Sequence, residues 1–252
     1  MSALHDAVRR VATVPRLLVA LDFDGVLAPI VDVPSDARPL PAAAAALGSL
    51  ATLPDTTVAM LSGRGLADLA AVSGLGAPIR LVGSHGGEFD GTDLGGAAVL
   101  DDDRRALLDS LTVELTELVD GEPGVALERK PAGVAVHVRN AAPDVGARVL
   151  DAVRVGPAAR PGVASTPGKA VLDLAVLSVN KGTALDVLRD RAGADAVLFA
   201  GDDVTDESAF ARLHTGDVGV KVGDGDTAAA HRVADPAEVA QLLELLLSVR
   251  AG

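Results

Sequence analysis

Two groups of aspartates, each directly behind an apolar run of strand length, are the residues of this sequence best suited to chemistry. They are Asp22 and Asp24 after the run 17–21, and Asp202, Asp203 and Asp206 after the run 197–200. In an open parallel sheet, ligands bind at the carboxyl ends of the strands, so the two groups can share one site. Like charges that are buried together need a cation, and oxygen ligands with no nearby Cys or His favour Mg²⁺. Together the groups predict a magnesium site, whereas either group alone could be a turn or a helix cap.

Two further polar residues stand where a strand-like run gives way to a helix. Ser62 follows the run 57–61 and precedes Gly63, and a hydroxyl beside helix-terminal N–H groups suits a phosphate. A lone Ser-Gly pair is, however, more often only a helix cap. Lys181 begins a helix-like stretch, where a cation opposes the helix dipole. This position indicates that Lys181 faces negative charge, although an exposed lysine is usually only solvated.

The elements that would position these residues alternate along the chain. Short apolar runs that suit buried strands lie at 17–21, 57–61, 79–82, 197–200 and 218–220. Stretches of helical length lie at 41–53, 65–73, 181–191, 205–212 and 236–249. Continuous apolar strands that alternate with helices are typical of a doubly wound, parallel α/β sheet with right-handed crossovers.

The middle of the chain has a different order of elements. A helix-like stretch at 101–119 precedes two strand-like runs, and a second one at 143–153 precedes two more. This order predicts an α+β unit with antiparallel hairpins. We therefore expect a second domain at 94–175, inserted into the first, with the loops 91–97 and 177–180 as hinges. One continuous sheet with long excursions is the alternative.

The composition excludes several classes of protein. The chain has 252 residues, of which 49% are hydrophobic, and its mean hydropathy of +0.34 excludes a wholly disordered chain. The absence of cysteine excludes disulfides, cysteine zinc sites and a cysteine nucleophile. A net charge of −13 with 2% aromatic residues argues against nucleic-acid binding. No apolar run approaches the ~20 residues of a membrane span, and no signal-peptide pattern is present, so a cytoplasmic protein without a membrane partner is expected.

Four segments of this sequence together resemble the motifs of the haloacid-dehalogenase superfamily of phosphotransferases. They are Asp22-Phe23-Asp24-Gly25-Val26-Leu27, Ser62-Gly63-Arg64, Lys181-Gly182 and Gly201-Asp202-Asp203-Val204-Thr205-Asp206-Glu207. Within that superfamily the chain is most similar to the trehalose-6-phosphate phosphatase family. That similarity is carried by Gly83-Ser84-His85-Gly86-Gly87-Glu88, Glu128-Arg129-Lys130, His137-Val138-Arg139, Gly168-Lys169 through Asp173, and Thr205-Asp206-Glu207-Ser208-Ala209-Phe210. The resemblance implies a Rossmannoid core at 1–93 and 176–252 with an inserted C2B-type α/β cap at 94–175.

The resemblance also implies a chemistry and a role for each core residue. The expected enzyme is a Mg²⁺-dependent phosphatase that hydrolyses a small-molecule sugar phosphate, trehalose 6-phosphate, through an aspartyl-phosphate. Asp22 is then the nucleophile and Asp24 the general acid and base. Ser62 and Lys181 bind the transferring phosphoryl group. Mg²⁺ is held by Asp22, the main-chain carbonyl of Asp24 and Asp202, while Asp203 and Asp206 orient Lys181 and the waters of the metal.

The expected substrate contacts depart from the family pattern at three places. The resemblance assigns substrate binding to Arg64, His85, Glu128, Lys130 and Asp173, with the last three in the cap contacting sugar hydroxyls. Ser84 replaces the usual Asn, Val138 replaces a Tyr, and the run 173–176 has Asp for Glu and lacks the usual basic residue and Pro. Phosphatases of other sugar or pseudo-sugar phosphates, such as sucrose phosphate or a glycosylated metabolite phosphate, therefore remain alternatives.

Residue type by itself favours simpler roles for some of these positions. Lone histidines in apolar surroundings, such as His85 and His137, are more often structural than catalytic, and Arg64 can simply anchor the loop behind Ser62. A response-regulator receiver also uses an acid pair and a lysine, but it is about half as long and lacks the insert. A binding module that has lost catalysis is a further alternative, although both aspartate groups and Lys181 are present.

Overall fold

The computed structural model describes residues 3–91, 100, 102–130, 132–176 and 180–252. The contacts divide the chain into two compact units, the first formed by residues 1–90 with 180–252 and the second by residues 91–179. The sequence-based boundaries of the insert, 94–175, lie a few residues inside the second unit. Most of the two expected hinge loops, residues 92–97 and 177–179, falls outside the described residues, so the hinge function stays a prediction.

The α-helices of the described residues, in chain order, are α1 (Ala3–Val11), α2 (Pro41–Leu50), α3 (Leu66–Ser73), α4 (Asp102–Val119), α5 (Pro143–Val155), α6 (Lys181–Ala192), α7 (Glu207–Phe210) and α8 (Pro236–Arg250). The strands are β1 (Leu17–Leu21), β2 (Thr56–Leu61), β3 (Arg80–Gly83), β4 (Glu88–Phe89), β5 (Ala126–Lys130), β6 (Gly133–His137), β7 (Ala164–Gly168), β8 (Val171–Ala175), β9 (Ala196–Gly201), β10 (Val218–Val222) and β11 (His231–Val233). Short 3₁₀ helices lie at Pro34–Asp36, Ser84–Gly86, Pro157–Ala159 and Val204–Asp206.

The first unit contains a seven-stranded sheet in the order β11-β10-β9-β1-β2-β3-β4. All neighbouring strands are parallel except the pair β3 and β4. In the middle of the sheet, Leu21 of β1 lies opposite Ala200 of β9 and Met60 of β2. The residues that follow these three strands therefore lie at one edge of the sheet, where the sequence analysis expected the site.

Both faces of this sheet are covered, which explains why its strands are continuous apolar runs. All five residues of β1 are buried. Leu17, Val19 and Leu21 join a core cluster with residues of α1, α2 and α8. Leu18 and Ala20 point to the opposite face, where α6 packs against β1. The predicted doubly wound, parallel α/β sheet is confirmed.

Several elements differ from the predicted ones. Helix α1 was not predicted, although Ala7, Val8 and Val11 form a short apolar stripe that faces the core. The predicted helix 41–53 ends at Leu50, because Pro54 disfavours helical backbone just before it. The predicted helix 205–212 is a 3₁₀ turn followed by the four-residue α7. Strands β4 and β11 are only two and three residues long, which is too short to leave a periodic pattern.

The second unit contains a four-stranded antiparallel sheet in the order β5-β6-β8-β7, with α4 and α5 in the order that the sequence predicted. Its core combines both helices with one face of the sheet and includes Leu111, Leu115, Val134, Val136, Val149, Leu172 and Leu174. Ala135 of β6 lies opposite both Glu128 of β5 and Asp173 of β8. Directly opposed residues share a face, so Glu128 and Asp173 lie on the face that points away from this core.

No helix in the described part of the chain is both long and apolar enough to cross a membrane.

Candidate active site

Lys181 is the buried cation at the centre of the site. It begins α6, whose first turn is fixed by a capping box in which Asn180 Oδ1 accepts from Thr183 N at 2.9 Å and Thr183 Oγ1 accepts from Asn180 N at 3.0 Å. Only 2% of the residue is exposed. Lys181 Nζ lies 2.7 Å from Asp22 Oδ2 and donates to Asp206 Oδ1 at 2.7 Å. Burial alone would lower the pKa of Lys181, but the charges of these two carboxylates raise it above its ordinary value.

Asp206 ties Lys181 to the loop that follows β9. It is completely buried, and its Oδ2 accepts hydrogen bonds from the main-chain N–H groups of Asp202 and Asp203, both at 3.0 Å. A side chain at Gly201 would prevent this approach, since a Cβ there would lie 2.3 Å from Asp206 Cγ. Asp206 therefore contacts Lys181 directly. Asp203 does not, because its carboxylate accepts from Val204 N and caps the 3₁₀ helix Val204–Asp206.

Asp22 stands directly behind β1 and is only 5% exposed. Its Oδ1 accepts from Phe23 N at 2.6 Å, and its Oδ2 faces Lys181. Burial, aided by the charge of Asp206, raises the pKa of Asp22 to about 7 despite the opposing effect of Lys181. Burial and Asp206 likewise raise the pKa of Asp202 to about 6. The nearby ammonium groups therefore leave the negative charge of this cluster incompletely balanced.

The arrangement of these carboxylates fits a divalent cation. One oxygen each of Asp22, Asp202 and Asp206 lies within 4.8 Å of the other two. Asp206 is completely buried and does not line the cavity of the site, which leaves Asp22 and Asp202 as the carboxylates that face it. The turn at Gly25, with φ of +75°, makes room for Asp202, because a Cβ at Gly25 would lie 2.0 Å from Asp202 Oδ2. Hard oxygen ligands with unbalanced charge are typical of magnesium and calcium sites.

Asp24 and Arg64 form an ion pair at the wall of the same site. Arg64 donates to both carboxylate oxygens of Asp24, at 2.6 and 2.7 Å. The guanidinium also donates through Nη1 to Asp68 at 2.8 Å and through Nη2 to the carbonyl of Pro34 at 2.9 Å. Hydrogen bonding to Asp24 contributes most to the raised pKa of Arg64. In this structure the guanidinium is therefore occupied by protein groups, and its expected contact with substrate stays a prediction.

Ser62 and His85 are held together by the main chain. Ser62 is 1% exposed, and its hydroxyl accepts from Arg64 N at 3.1 Å, which leaves the hydroxyl proton for another acceptor. His85 N donates to Ser62 O at 2.9 Å, and the imidazole lies so close to Gly63 that a Cβ there would be 2.5 Å from His85 Cε1. Ser84 and His85 both have left-handed backbone, with φ of 50° and 54°. Such strained residues cluster at functional sites.

These side chains surround a cavity of about 580 Å³ at the carboxyl edge of the sheet. Its polar wall contains all the predicted core residues except Asp206, together with Arg64 and His85: Asp22, Asp24, Ser62, Lys181, Asp202 and Asp203. Ile30, Val31 and Pro34 form an apolar part of the lining. The cavity can therefore take a phosphate against its polar wall and an organic group against the rest.

The remaining predicted residues lie together on the sheet of the second unit. Lys130 Nζ donates to Asp173 Oδ1 at 2.5 Å, and Glu128 Oε2 lies 2.9 Å from His137 Nε2. Glu128 and Lys130 are two residues apart on β5, so they share one face. This group offers both donors and acceptors, as recognition of sugar hydroxyls requires.

Two structural contacts of the first unit were not predicted from the sequence. Glu88 accepts from Leu66 N at 3.1 Å and from the Ser84 hydroxyl, and so anchors the loop that carries His85. Lys221 of β10 is buried and donates to the main-chain carbonyl of Asp202. The position of Lys221 between the apolar run 218–220 and Val222 was the signal that could have identified it.

Comparison with known proteins agrees with this geometry. Residues 20–238 match the family model described as trehalose-phosphatase. The chain belongs to the trehalose-phosphatase family. The family consists of phosphoric monoester hydrolases, the enzyme class that the sequence predicted, and the resemblance stated from the motifs is confirmed.

Mycobacterial members of the trehalose-phosphatase family are similar over nearly the whole chain. A trehalose-phosphate phosphatase of Mycobacterium marinum is 38% identical over 98% of this chain and 67% of its own length. That of Mycobacterium avium is 39% identical over 90% of this chain and 61% of its own length. This chain thus spans about two thirds of the length of these relatives.

Solved structures of the trehalose-phosphatase family share the fold. A trehalose-6-phosphate phosphatase of Aspergillus fumigatus is 26% identical, with a TM-score of 0.67 over 97% of this chain and 96% of that chain. The C-terminal domain of a trehalose-6-phosphate phosphatase of Candida albicans has a TM-score of 0.73 over 98% of both chains, at 23% identity. At that identity, the second comparison shows the fold alone.

Proposed function

We propose that this protein hydrolyses trehalose 6-phosphate to trehalose and phosphate, with Mg²⁺ and through an aspartyl-phosphate. The observation that carries the proposal is the setting of Asp22. Its carboxylate is nearly buried at the end of β1, lies 2.7 Å from Lys181 Nζ, and faces the cavity that Ser62 also lines. A carboxylate fixed in this way has few rotational states to lose when it attacks phosphorus.

In the first step, an oxygen of Asp22 forms a bond to phosphorus while the bond between phosphorus and the sugar oxygen breaks. The departing sugar oxygen takes a proton from Asp24. In the second step, Asp24 takes a proton from water as the water oxygen attacks phosphorus, and the carboxylate of Asp22 is released with inorganic phosphate. Asp24 can serve both steps if one of its oxygens exchanges Arg64 for the proton while the other oxygen keeps its contact with Arg64.

Lys181 and Ser62 stabilise the charge on the phosphoryl oxygens. The Lys181 ammonium is fixed between Asp22 and Asp206, so it is already in position when charge develops beside Asp22. The Ser62 hydroxyl accepts from Arg64 N and can donate its proton to a phosphoryl oxygen. Both groups are almost free of solvent, which strengthens their electrostatic effect.

The metal of the proposal is Mg²⁺, held by the carboxylates of Asp22 and Asp202 and the main-chain carbonyl of Asp24. When bound, it neutralises charge on the phosphate and on the surrounding carboxylates. Asp206 keeps the main chain of Asp202 in place through its contact with Asp202 N. The raised pKa values of Asp22 and Asp202 support a cation between these two groups.

In this proposal, the residues that determine which sugar is bound are Glu128, Lys130 and Asp173. Their carboxylates and ammonium complement neutral hydroxyls, which are costly to bury without partners. Asp173 has one methylene less than the family's Glu, so its contact with the sugar is proposed to include a water.

The test is a phosphate-release assay with trehalose 6-phosphate, sucrose 6-phosphate, monosaccharide phosphates and p-nitrophenyl phosphate, each with Mg²⁺ and with EDTA. Trehalose 6-phosphate is expected to have the highest kcat/KM, and Asp22→Asn serves as the matched inactive control. A higher kcat/KM for another sugar phosphate would replace the substrate and keep the reaction. Folded protein that releases no phosphate from any of these compounds with Mg²⁺ would overturn the proposal.

A further inference from the structure

Lys221 is a buried cation that the proposed mechanism does not use. It lies in β10, all of whose residues are buried, and is itself only 4% exposed. In the register of the sheet it lies opposite Gly201 of β9 on one side and Arg232 of β11 on the other. The residue of β9 that pairs with Lys221 is therefore the one directly before Asp202.

The surroundings of Lys221 differ from those of Lys181. Lys181 contacts two carboxylates, whereas no described carboxylate lies within ion-pair distance of Lys221 Nζ. The ammonium donates instead to the main-chain carbonyl of Asp202. Burial of a cation without a carboxylate in direct contact is unfavourable, and the anion that attracts Lys221 from beyond that distance is Asp202 itself. The position therefore favours a role in the site over a role in stability.

The contact with Lys221 completes the fixation of Asp202. Asp206 Oδ2 accepts from Asp202 N at 3.0 Å, and Lys221 Nζ donates to Asp202 O. The main chain of Asp202 is thus held on both sides by buried charged groups, and its carboxylate lies against Gly25. Lys221 does not line the described cavity, so it acts through Asp202 and not on the substrate.

We propose that Lys221 is a positioning residue that fixes the main chain of Asp202 so that its carboxylate is presented to the divalent cation. The inference rests on the metal site of the proposed function. Groups that orient a metal ligand commonly change metal affinity by 10- to 100-fold when they are removed.

The test compares Lys221→Met with wild type in two measurements on metal-free protein. Thermal unfolding in EDTA should give a Tm close to or above that of wild type, because Met avoids the cost of burying an ammonium, which offsets the lost hydrogen bond to Asp202 O. Calorimetric titration with Mg²⁺ should give a Kd at least about tenfold weaker. Lys221→Gln retains an N–H donor and should recover part of the affinity. Arg232→Met is the matched control: it removes a cation opposite Lys221 that donates to Gly223 O and Gly225 O, and its Kd should stay within about twofold of wild type.

The outcomes separate this inference from the proposed function. If wild type binds no Mg²⁺, the metal site itself is wrong and the inference fails with it. If wild type binds Mg²⁺ and Lys221→Met binds it equally well or more tightly, only the inference is overturned. A Tm of metal-free Lys221→Met well below that of wild type, or its failure to fold, would overturn it too, because Lys221 would then support the fold.

Discussion

Arg64 holds both oxygens of the Asp24 carboxylate, with Nε 2.6 Å from Oδ2 and Nη2 2.7 Å from Oδ1. The guanidinium is fixed in turn by Asp68 and the carbonyl of Pro34, and its carbon lies 5.6 Å from the centre of the Phe23 ring. A two-pronged contact of this kind sets the orientation of a carboxylate as well as its position. The proposed acid and base is therefore placed by a residue 40 positions away in the sequence.

We expect Arg64→Lys to lower kcat about tenfold, because a lysine keeps the charge but cannot form the planar, two-pronged contact. Arg64→Met should lower kcat further, with sugar phosphate and with p-nitrophenyl phosphate alike. The measurement is steady-state phosphate release at saturating Mg²⁺. Asp68→Asn is the matched control, since it removes only the outer partner of Arg64 and should change kcat by less than about threefold. An unchanged kcat for Arg64→Met would show that Asp24 needs no such support.

We expect Asp22→Asn to abolish turnover and to leave the fold intact. The amide is close in shape to the carboxylate but is a poor nucleophile, so the covalent step is lost. Because burial raises the pKa of Asp22 to about 7, the neutral side chain should not lower the Tm of the metal-free protein. Phosphate release and thermal unfolding measure the two effects, with mass spectrometry to exclude deamidation. Residual activity above a few per cent of wild type would place the nucleophile elsewhere.

We expect protons and Mg²⁺ to compete for the same carboxylates. Burial raises the pKa of Asp22 to about 7 and that of Asp202 to about 6, so the folded, metal-free protein retains protons that the unfolded chain releases. Its free energy of unfolding should therefore fall as pH rises from about 4 to about 7. Mg²⁺ should restore stability more at about pH 8 than at about pH 5.

Thermal unfolding with Mg²⁺ and with EDTA at both pH values measures this competition. Asp202→Asn is the control and should lose the stabilisation by Mg²⁺. An equal increase in Tm at both pH values would contradict the proposed ligands. In activity assays, Ca²⁺ should inhibit, because it accepts more ligands at longer distances and would capture both oxygens of Asp22.

We expect Glu128→Ala, Lys130→Ala and Asp173→Ala each to lower kcat/KM for trehalose 6-phosphate about 100-fold, which is about 2.7 kcal/mol. Activity on p-nitrophenyl phosphate should be largely kept, because its leaving group offers no hydroxyls. The 2.5 Å contact between Lys130 and Asp173 adds a second expectation. The double variant of this pair should lose less than the two single losses combined, since each residue depends on the other.

The control for these variants is Arg148→Met, which breaks an exposed ion pair with Glu122 in the same unit. Arg148→Met should not measurably change the activity on trehalose 6-phosphate or on p-nitrophenyl phosphate. Equal losses on both substrates for the three alanine variants would show that they support the fold. Unchanged rates on both would place the sugar contacts elsewhere.

The sequence was sufficient to predict the α/β class and the edge of the sheet at which the candidate residues meet. A buried parallel strand must be a continuous apolar run, so β1 was evident from residues 17–21, and the aspartates behind it had to lie at its carboxyl end. Lys181 was identified for a similar local reason, since a cation at the start of a helix is unfavourable unless negative charge lies nearby.

The tertiary structure alone decided which of these groups contact one another. Three contacting pairs join residues from different parts of the chain: Asp24 with Arg64, Lys181 with Asp206, and Lys221 with Asp202. A strand pattern shows which face a residue occupies, but its partner depends on the order and register of strands that are distant in the sequence. Lys221 shows this most clearly: only the parallel pairing that sets it opposite Gly201 brings its ammonium to the carbonyl of Asp202.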